Sequence, residues 1–241
     1  SSLCLHGCPF GSPATNDLLI RQNYILSSND LTKFADWAAY KVTRDTIGPT
    51  QSRTWKADPW LAENETLEPE DYTGANAALG TERGHQVPLA SFTGTDTWSE
   101  TNYLSNITPQ QGSLNGSAWG SLESAVRSLA QEDGVEGVYV MTGPYYTSPQ
   151  TPLPRADEAH VIPSGYWKLV AIENDGATIL AAFMFDQGFG SGRSFCDALK
   201  TPREVERVAN LRLFHEMSES QSDILREDPG TLAGRLGCGA P

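Results

Sequence analysis

Apolar residues along this chain gather in short runs separated by turn-forming residues. The stretches "DLLIRQNYIL" (17–26) and "FADWAAYKVT" (34–43) have strand character, and the intervening "SSND" supplies turn chemistry, so two strands are predicted. Further on, "GVYVMTG" (137–143) and "YWKLVAIEN" (166–174) are rich in β-branched and aromatic residues. Asn174-Asp175-Gly176 then offers a tight turn into "ATILAAFMF", which predicts a hairpin.

Helical signals lie between these strands. Thr201-Pro202-Arg203-Glu204 combines an N-cap hydroxyl, a proline at the first helical position and a glutamate at the third, so a helix is predicted through "TPREVERVANL". A second is predicted at "SDILRED", from residue 222. Within 113–131, Leu114, Ala118, Leu122, Ala125 and Leu129 recur at helical spacing and predict a buried stripe. Beside it run Asn115, Trp119, Glu123 and Arg127 in steps of four, each drifting only about 40° around the axis. Asn115 and Glu123 can therefore point into one cleft, two turns apart. Glu123 and Arg127 also make an ordinary i,i+4 helix pair; Asn115, a poor helix former at the head of the same stripe, favours the cleft.

Strands outnumber helices, so the expected class is α+β, with a central, mainly antiparallel β-sheet flanked by helices. No repeat or linker divides the chain, and residues 1–241 read as a single domain. A length of 241 residues, 39% of them hydrophobic, allows a full core. No apolar run approaches the roughly 20 residues of a membrane span, and "SSLC" is not the start of a signal peptide. A soluble protein is expected, with any signal peptide already removed.

Charge complicates the picture. The net charge is −13, and six acids between Asp58 and Asp71, with no Lys or Arg among them, read as a solvated acidic face. Calcium binding is the sharper reading, but no D-x-[DN]-x-[DN]-G loop supports it. Taken alone, the balance argues against a polyanionic substrate. Four cysteines can pair in three ways or bind zinc; the C-x3-C spacing and two distant partners disfavour zinc. The preferred pairing is a small loop, Cys4 to Cys8, and a C-terminal clasp, Cys196 to Cys238, which implies an oxidising compartment and secretion.

One of only four histidines follows an arginine and a glycine in "LGTERGHQVPLASF" (79–92). A lone histidine is more often structural, and His6, His160 and His215 are read that way or as exposed. There is no G-x-S-x-G, H-E-x-x-H or P-loop, so other hydrolase classes carry little weight.

The ordered set "RGHQVPLASF", "NYLSNITPQ" and "LNGSAWGSLE" resembles the DNA/RNA non-specific endonucleases of the Serratia nuclease type, a ββα-metal (His-Me finger) family. The likeness extends through "VYVMTGPYY", "AHVIPSGYWK" and "AAFMFDQ", and the two preferred disulfides fall where that type has its own. The resemblance implies roles. His85 matches the general base, and an imidazole can take a proton from water near neutral pH. Asn115 matches the only direct protein ligand of a mostly hydrated Mg²⁺, with Mn²⁺ as a substitute left open. Glu123 matches the carboxylate that holds the metal's waters. Arg53 matches an arginine that stabilises the phosphorane-like transition state. Arg83 and Arg127 are implied to grip neighbouring phosphates, and Asn106 and Gln110 to orient the metal, its waters or the scissile group. Gly84 is expected to allow close approach of backbone to substrate or metal. The family reads Asp-Arg-Gly-His where this chain has Glu82, an extra methylene that keeps the charge and moves it.

The implied activity is a secreted, Mg²⁺-dependent endonuclease acting on DNA and RNA and leaving 5′-phosphate ends, as monomer or homodimer. The −13 charge adds an expectation of salt tolerance. The alternative is a catalytically impaired extracellular nucleic-acid-binding module of the same fold, with Glu82 as the mark of decay.

Overall fold

The computed structural model describes residues 1–239. A seven-stranded antiparallel sheet forms its middle layer. Its strands are β1 (Asp17–Ile20), β2 (Tyr24–Ser28), β3 (Ala35–Val42), β6 (Val138–Tyr145), β7 (Gly165–Asn174), β8 (Ala177–Asp186) and β9 (Leu199–Lys200), in that spatial order. A separate antiparallel pair, β4 (Thr81–His85) and β5 (Ile107–Gln111), stands apart from the sheet.

Strand alternation sorts the side chains onto two faces. Val138 and Val140 of β6, Val170 and Ile172 of β7, and Phe183 and Phe185 of β8 pack toward the helix that follows β5. Met141, Leu169, Ala171, Leu180 and Ala182 point to the other face. There they meet Val205 of α4 (Pro202–Ala209), Leu225 of α5 (Glu219–Arg226) and the N-terminal disulfide loop. A third cluster, with Phe34, Tyr72, Leu104, Ile107 and Ala75 of α1 (Ala75–Leu79), fills the space behind the β4–β5 ribbon.

Several local predictions hold for their stated reasons. Asn174 pairs with Ala177 across a turn whose Asp175 and Gly176 both have positive φ, 48° and 76°, the twist a two-residue hairpin needs. Thr201 caps α4 through Glu204 N, and the Glu204 carboxylate accepts from Thr201 N at 2.8 Å. Disulfides join Cys4 to Cys8 and Cys196 to Cys238. Among the described residues, no helix is long and apolar enough to cross a membrane.

Other segments depart from expectation. Residues 17–26 are two strands, because the chain reverses at Arg21, whose N–H bonds to Tyr24 O at 2.9 Å. Arg21 is buried: its guanidinium pairs with Asp58 at 2.5 Å and lies 4.0 Å over the Trp60 ring and 4.6 Å over Tyr103. Ser27 and Ser28 belong to β2, and the next reversal runs from Asn29 to Lys33.

The acids from 58 to 71 are not one solvated face. Asp58 and Asp71 are buried, and Asp58 also accepts from the Ser105 hydroxyl. Glu68 and Asp71 meet Asp157 and Glu158 in an acidic cluster. Burial, then Glu158 and Asp71, pushes the Glu68 carboxyl up to about 7.

The Arg21–Asp58 pair ties the first hairpin to the segment between β3 and β4. Removing Asp58 leaves the buried guanidinium with only the half-buried Glu100, at 3.3 Å, to offset its charge. Asp58→Ala is expected to lower unfolding stability by about 3–5 kcal/mol, measured as a shift in the urea midpoint. A loss below about 1 kcal/mol would put the pair among weakly contributing ion pairs.

Candidate active site

β4 and β5 pair in register, with His85 opposite Ile107 and Glu82 opposite Gln110, and the chain passes from Gln111 into a helix at Gly112 without a loop. This helix spans 112–130. It begins α-helical (α2, Gly112–Leu114), widens into a π turn (Asn115–Trp119) and continues as α3 (Gly120–Ala130). A regular helix was the expectation; the π turn changes which side chains face where. Asn115 is half-buried and faces the cleft, whereas Trp119 is fully buried, edge-on to Tyr166 and Phe185. Glycines at 116 and 120 make this stretch a poor α-helix, and the Ser117 hydroxyl bonds back to Ser113 O. On the inner stripe Leu114, Ala118, Leu122 and Leu129 are buried as expected, while Ala125 is half-buried and Val126 takes the buried place beside it.

A cleft of about 690 Å³ opens between the ribbon, the helix and the 48–53 segment. Arg53, Glu82, Arg83, His85, Asn115, Glu123 and Arg127 all line it. Gly116 and Gly120 line it too, and a side chain built at Gly116 would meet nothing within 4 Å, only open cleft. Their signal in the sequence was two glycines four apart inside an otherwise helical pattern.

Asn106 and Gln110 are placed differently from the expectation. Asn106 is fully buried and clamps the backbone: its Oδ1 accepts from Val87 N, and its Nδ2 donates to Val87 O and Thr101 O, each at 2.9 Å. With both ends of its amide engaged, it has nothing to offer a metal. Gln110 is buried against Gly84 and does not line the cleft. A Cβ at Gly84 would lie 2.4 Å from Gln110 Oε1, so the glycine makes room for that side chain. This replaces the expected approach of backbone to ligand.

Arg83 and His85 share one side of β4, and Trp55 lies across both. The Trp55 ring centre is 5.6 Å from the Arg83 guanidinium carbon and 5.3 Å from the imidazole. Arg83 is braced further by Tyr72, at 5.1 Å, and donates to Pro69 O at 2.8 Å. His85 Nε2 donates to Asn102 Oδ1 at 3.3 Å, which leaves Nδ1 as the basic nitrogen. Asn102 is itself buried, and within "NYLSN" nothing local in the sequence separates it from Asn106. Burial lowers the imidazole to about 4; Asn102 opposes this and the nearby Arg53 charge adds to it. His85 is therefore a neutral proton acceptor throughout the neutral range.

Asn115 Nδ2 donates to Glu82 Oε2 at 2.8 Å. A carboxylate only accepts, so the amide nitrogen must face Glu82 and the amide oxygen is left unengaged. Glu123 sits two turns along, with Oε1 buried and without a hydrogen-bond partner. Burial raises its carboxyl, against the opposing charges of Lys168 and Arg127, then Trp119 and Arg53. Lys168 is fully buried beneath it, 3.8 Å from Oε1. Arg127 donates to the Ser124 hydroxyl at 2.8 Å and keeps Nη1 unpaired. The remaining histidines stand apart from the cleft: His6 contacts the Thr178 hydroxyl, His160 Nε2 accepts from Leu153 N, and His215 is exposed in a turn.

One neutral base, one unengaged amide oxygen, one half-buried carboxylate and three arginines suit the cleavage of a phosphodiester, and the ββα frame beneath them is that of a nuclease. Comparison with known proteins agrees. The sequence profile of the DNA/RNA non-specific endonuclease family matches residues 6–220, and the chain belongs to that family. It is 44% identical over 236 residues to the nuclease of Serratia marcescens, covering 98% of this chain and 88% of that protein. Human mitochondrial endonuclease G is 28% identical over 192 residues, covering 70% of this chain and 59% of that one. A solved structure of the EndoG/EndoGI complex shares the fold, with a TM-score of 0.76 at 23% identity over 91% of this chain and 93% of that chain.

The low imidazole value sets a pH expectation. Protonation removes the base as pH falls through about 4, so kcat/KM is expected to hold from neutral pH to about 5 and then drop. An acid limb centred near 6.5, the ordinary histidine value, would contradict the burial argument. Asn102→Ala is expected to lower kcat by about tenfold or more, within the roughly 10²–10⁴-fold contribution of a positioned base, with little change in KM.

Proposed function

We propose that this nuclease is a secreted, Mg²⁺-dependent endonuclease that hydrolyses DNA and RNA with little sequence preference and leaves 5′-phosphate ends. The observation that carries the reading is the shared cleft of His85, Asn115 and Glu123 on one ββα unit. His85 Nδ1 takes the proton of the attacking water while Asn102 holds the ring. Arg53 stabilises the charge spread over the phosphoryl oxygens, and Arg83 and Arg127 bind neighbouring phosphates. Contacts confined to phosphates carry no sequence information, which accounts for breadth of substrate.

The residues fit a hard divalent cation. The amide oxygen of Asn115 is left unengaged by the Glu82 bond, and Glu123 brings a carboxylate whose buried Oε1 has no donor. Asn115 would ligate the ion directly, and Glu123 would hold its waters. When bound, the ion offsets charge building on the leaving oxygen. Glu82 supports this reading rather than the impaired-module alternative, because its longer side chain reaches Asn115 and orients it.

Secretion is supported by the two disulfides. Salt tolerance follows from the −13 charge beside an arginine-lined cleft. Salt shortens the reach of surface repulsion to about 8 Å at physiological ionic strength and about 3 Å at 1 M, while the cleft contacts act at shorter range.

Plasmid digestion tests the whole reading. Chelation should abolish cleavage, and His85→Ala should slow it by about 10²–10⁴-fold; undiminished cleavage by that variant would remove His85 as the base. Between low salt and about 1 M NaCl the rate is expected to persist or rise at first. Steady inhibition from the lowest concentration would contradict salt tolerance.

A further inference from the structure

Lys168 occupies an unusual place. It is the one charged residue in the buried run from Gly165 to Ile172 of β7, and its side chain has no solvent exposure. Alternation puts it on the same face as Tyr166 and Val170, against the helix that carries Glu123. An apolar side chain would satisfy that position by packing alone, and burying an ammonium is costly unless something compensates it.

Its surroundings show what compensates. The ammonium lies 3.3 Å from the Tyr40 hydroxyl and 4.0 Å from the centre of the Trp119 ring, both favourable to a cation. Among the described residues, Glu123 is the only carboxylate within ion-pair distance, at 3.8 Å. That distance is too long for a hydrogen bond, so the ammonium acts on Oε1 by charge. The oxygen it faces is the one buried without a donor.

We propose that Lys168 is a positioning residue for phosphodiester hydrolysis: its ammonium draws Oε1 of Glu123 toward the sheet and so turns Oε2 to the cleft. This rests on the reading of Glu123 as the carboxylate that holds the metal's waters. Lys168 does not line the cleft and acts only through Glu123. Tyr40 and Trp119 flank the ammonium, so its position is set before any ligand arrives.

A double-mutant cycle of Lys168→Met, Glu123→Gln and the pair together tests it. Two readouts are taken: calorimetric Mg²⁺ binding without nucleic acid, and kcat/KM on duplex DNA. Lys168→Met alone is expected to weaken both by about 10–100-fold. In the Glu123→Gln background the same substitution should change neither by more than about twofold, since the residue it acts through is already neutral. Equal losses from Lys168→Met in both backgrounds would overturn the proposal and leave Lys168 a packing residue. If Glu123→Gln alone leaves Mg²⁺ binding and cleavage intact, the reading of Glu123 fails and the proposal fails with it. Lys168→Arg keeps the charge and guards against a folding defect in the methionine variant. It should retain most of the binding and activity, and a loss as large as that of the methionine variant would make shape, not charge, the property that matters.

Discussion

The hydrogen bond from Asn115 Nδ2 to Glu82 Oε2 joins the head of the cleft helix to the β4–β5 ribbon, and the chemistry proposed for the site depends on it. Two backbone constraints bring the pair together. The ribbon passes into the helix without a loop, so Asn115 lies only a few residues beyond the strand opposite Glu82. The π turn then opens the helix at that point, carrying Asn115 to the cleft and Trp119 to the core. The bond turns the amide nitrogen toward Glu82 and leaves the oxygen unengaged, as the proposed cation site requires. The glutamate that departs from the family's aspartate is thus accommodated in the geometry and has a partner of its own.

Around that bond the protein separates positive from negative charge over short distances. The chain carries a net charge of −13, yet Arg53, Arg83 and Arg127 line one cleft and Lys168 lies buried beneath it. Several acids are engaged elsewhere, Asp58 by Arg21 and Ser105. Burial favours the neutral form of His85, which suits a base. Burial also works against the charged form of Glu123, where the surrounding cations oppose it. One physical effect therefore helps one member of the site and must be countered for the other.

Much of this was legible in the sequence wherever the signal was local. The capping box at Thr201, the Asn-Asp-Gly hairpin and the disulfides depend on neighbouring residues or on simple spacing, and they appear as expected. The resemblance brought together His85, Asn115, Glu123 and the three arginines, which do share a cleft. What the sequence concealed depends on tertiary partners. Arg21 reverses the chain inside an apolar run because Asp58, Trp60 and Tyr103, distant in sequence, enclose it. Asn106 and Gln110 lie in a motif rich in amides, and only the packing shows that Asn102 reaches the imidazole while Asn106 clamps Val87. Lys168 left a faint trace, the one charged residue in the run from Gly165 to Ile172.

The central claim is that Asn115, held by Glu82, presents its amide oxygen to a divalent cation whose waters Glu123 receives. The most direct measurement is anomalous diffraction from a crystal soaked in Mn²⁺. The account predicts a peak at direct-ligand distance, about 2.1 Å for a small octahedral cation, from Asn115 Oδ1, with a water between it and Glu123. A peak at the Glu68, Asp71, Asp157 and Glu158 cluster with none at Asn115 would contradict it.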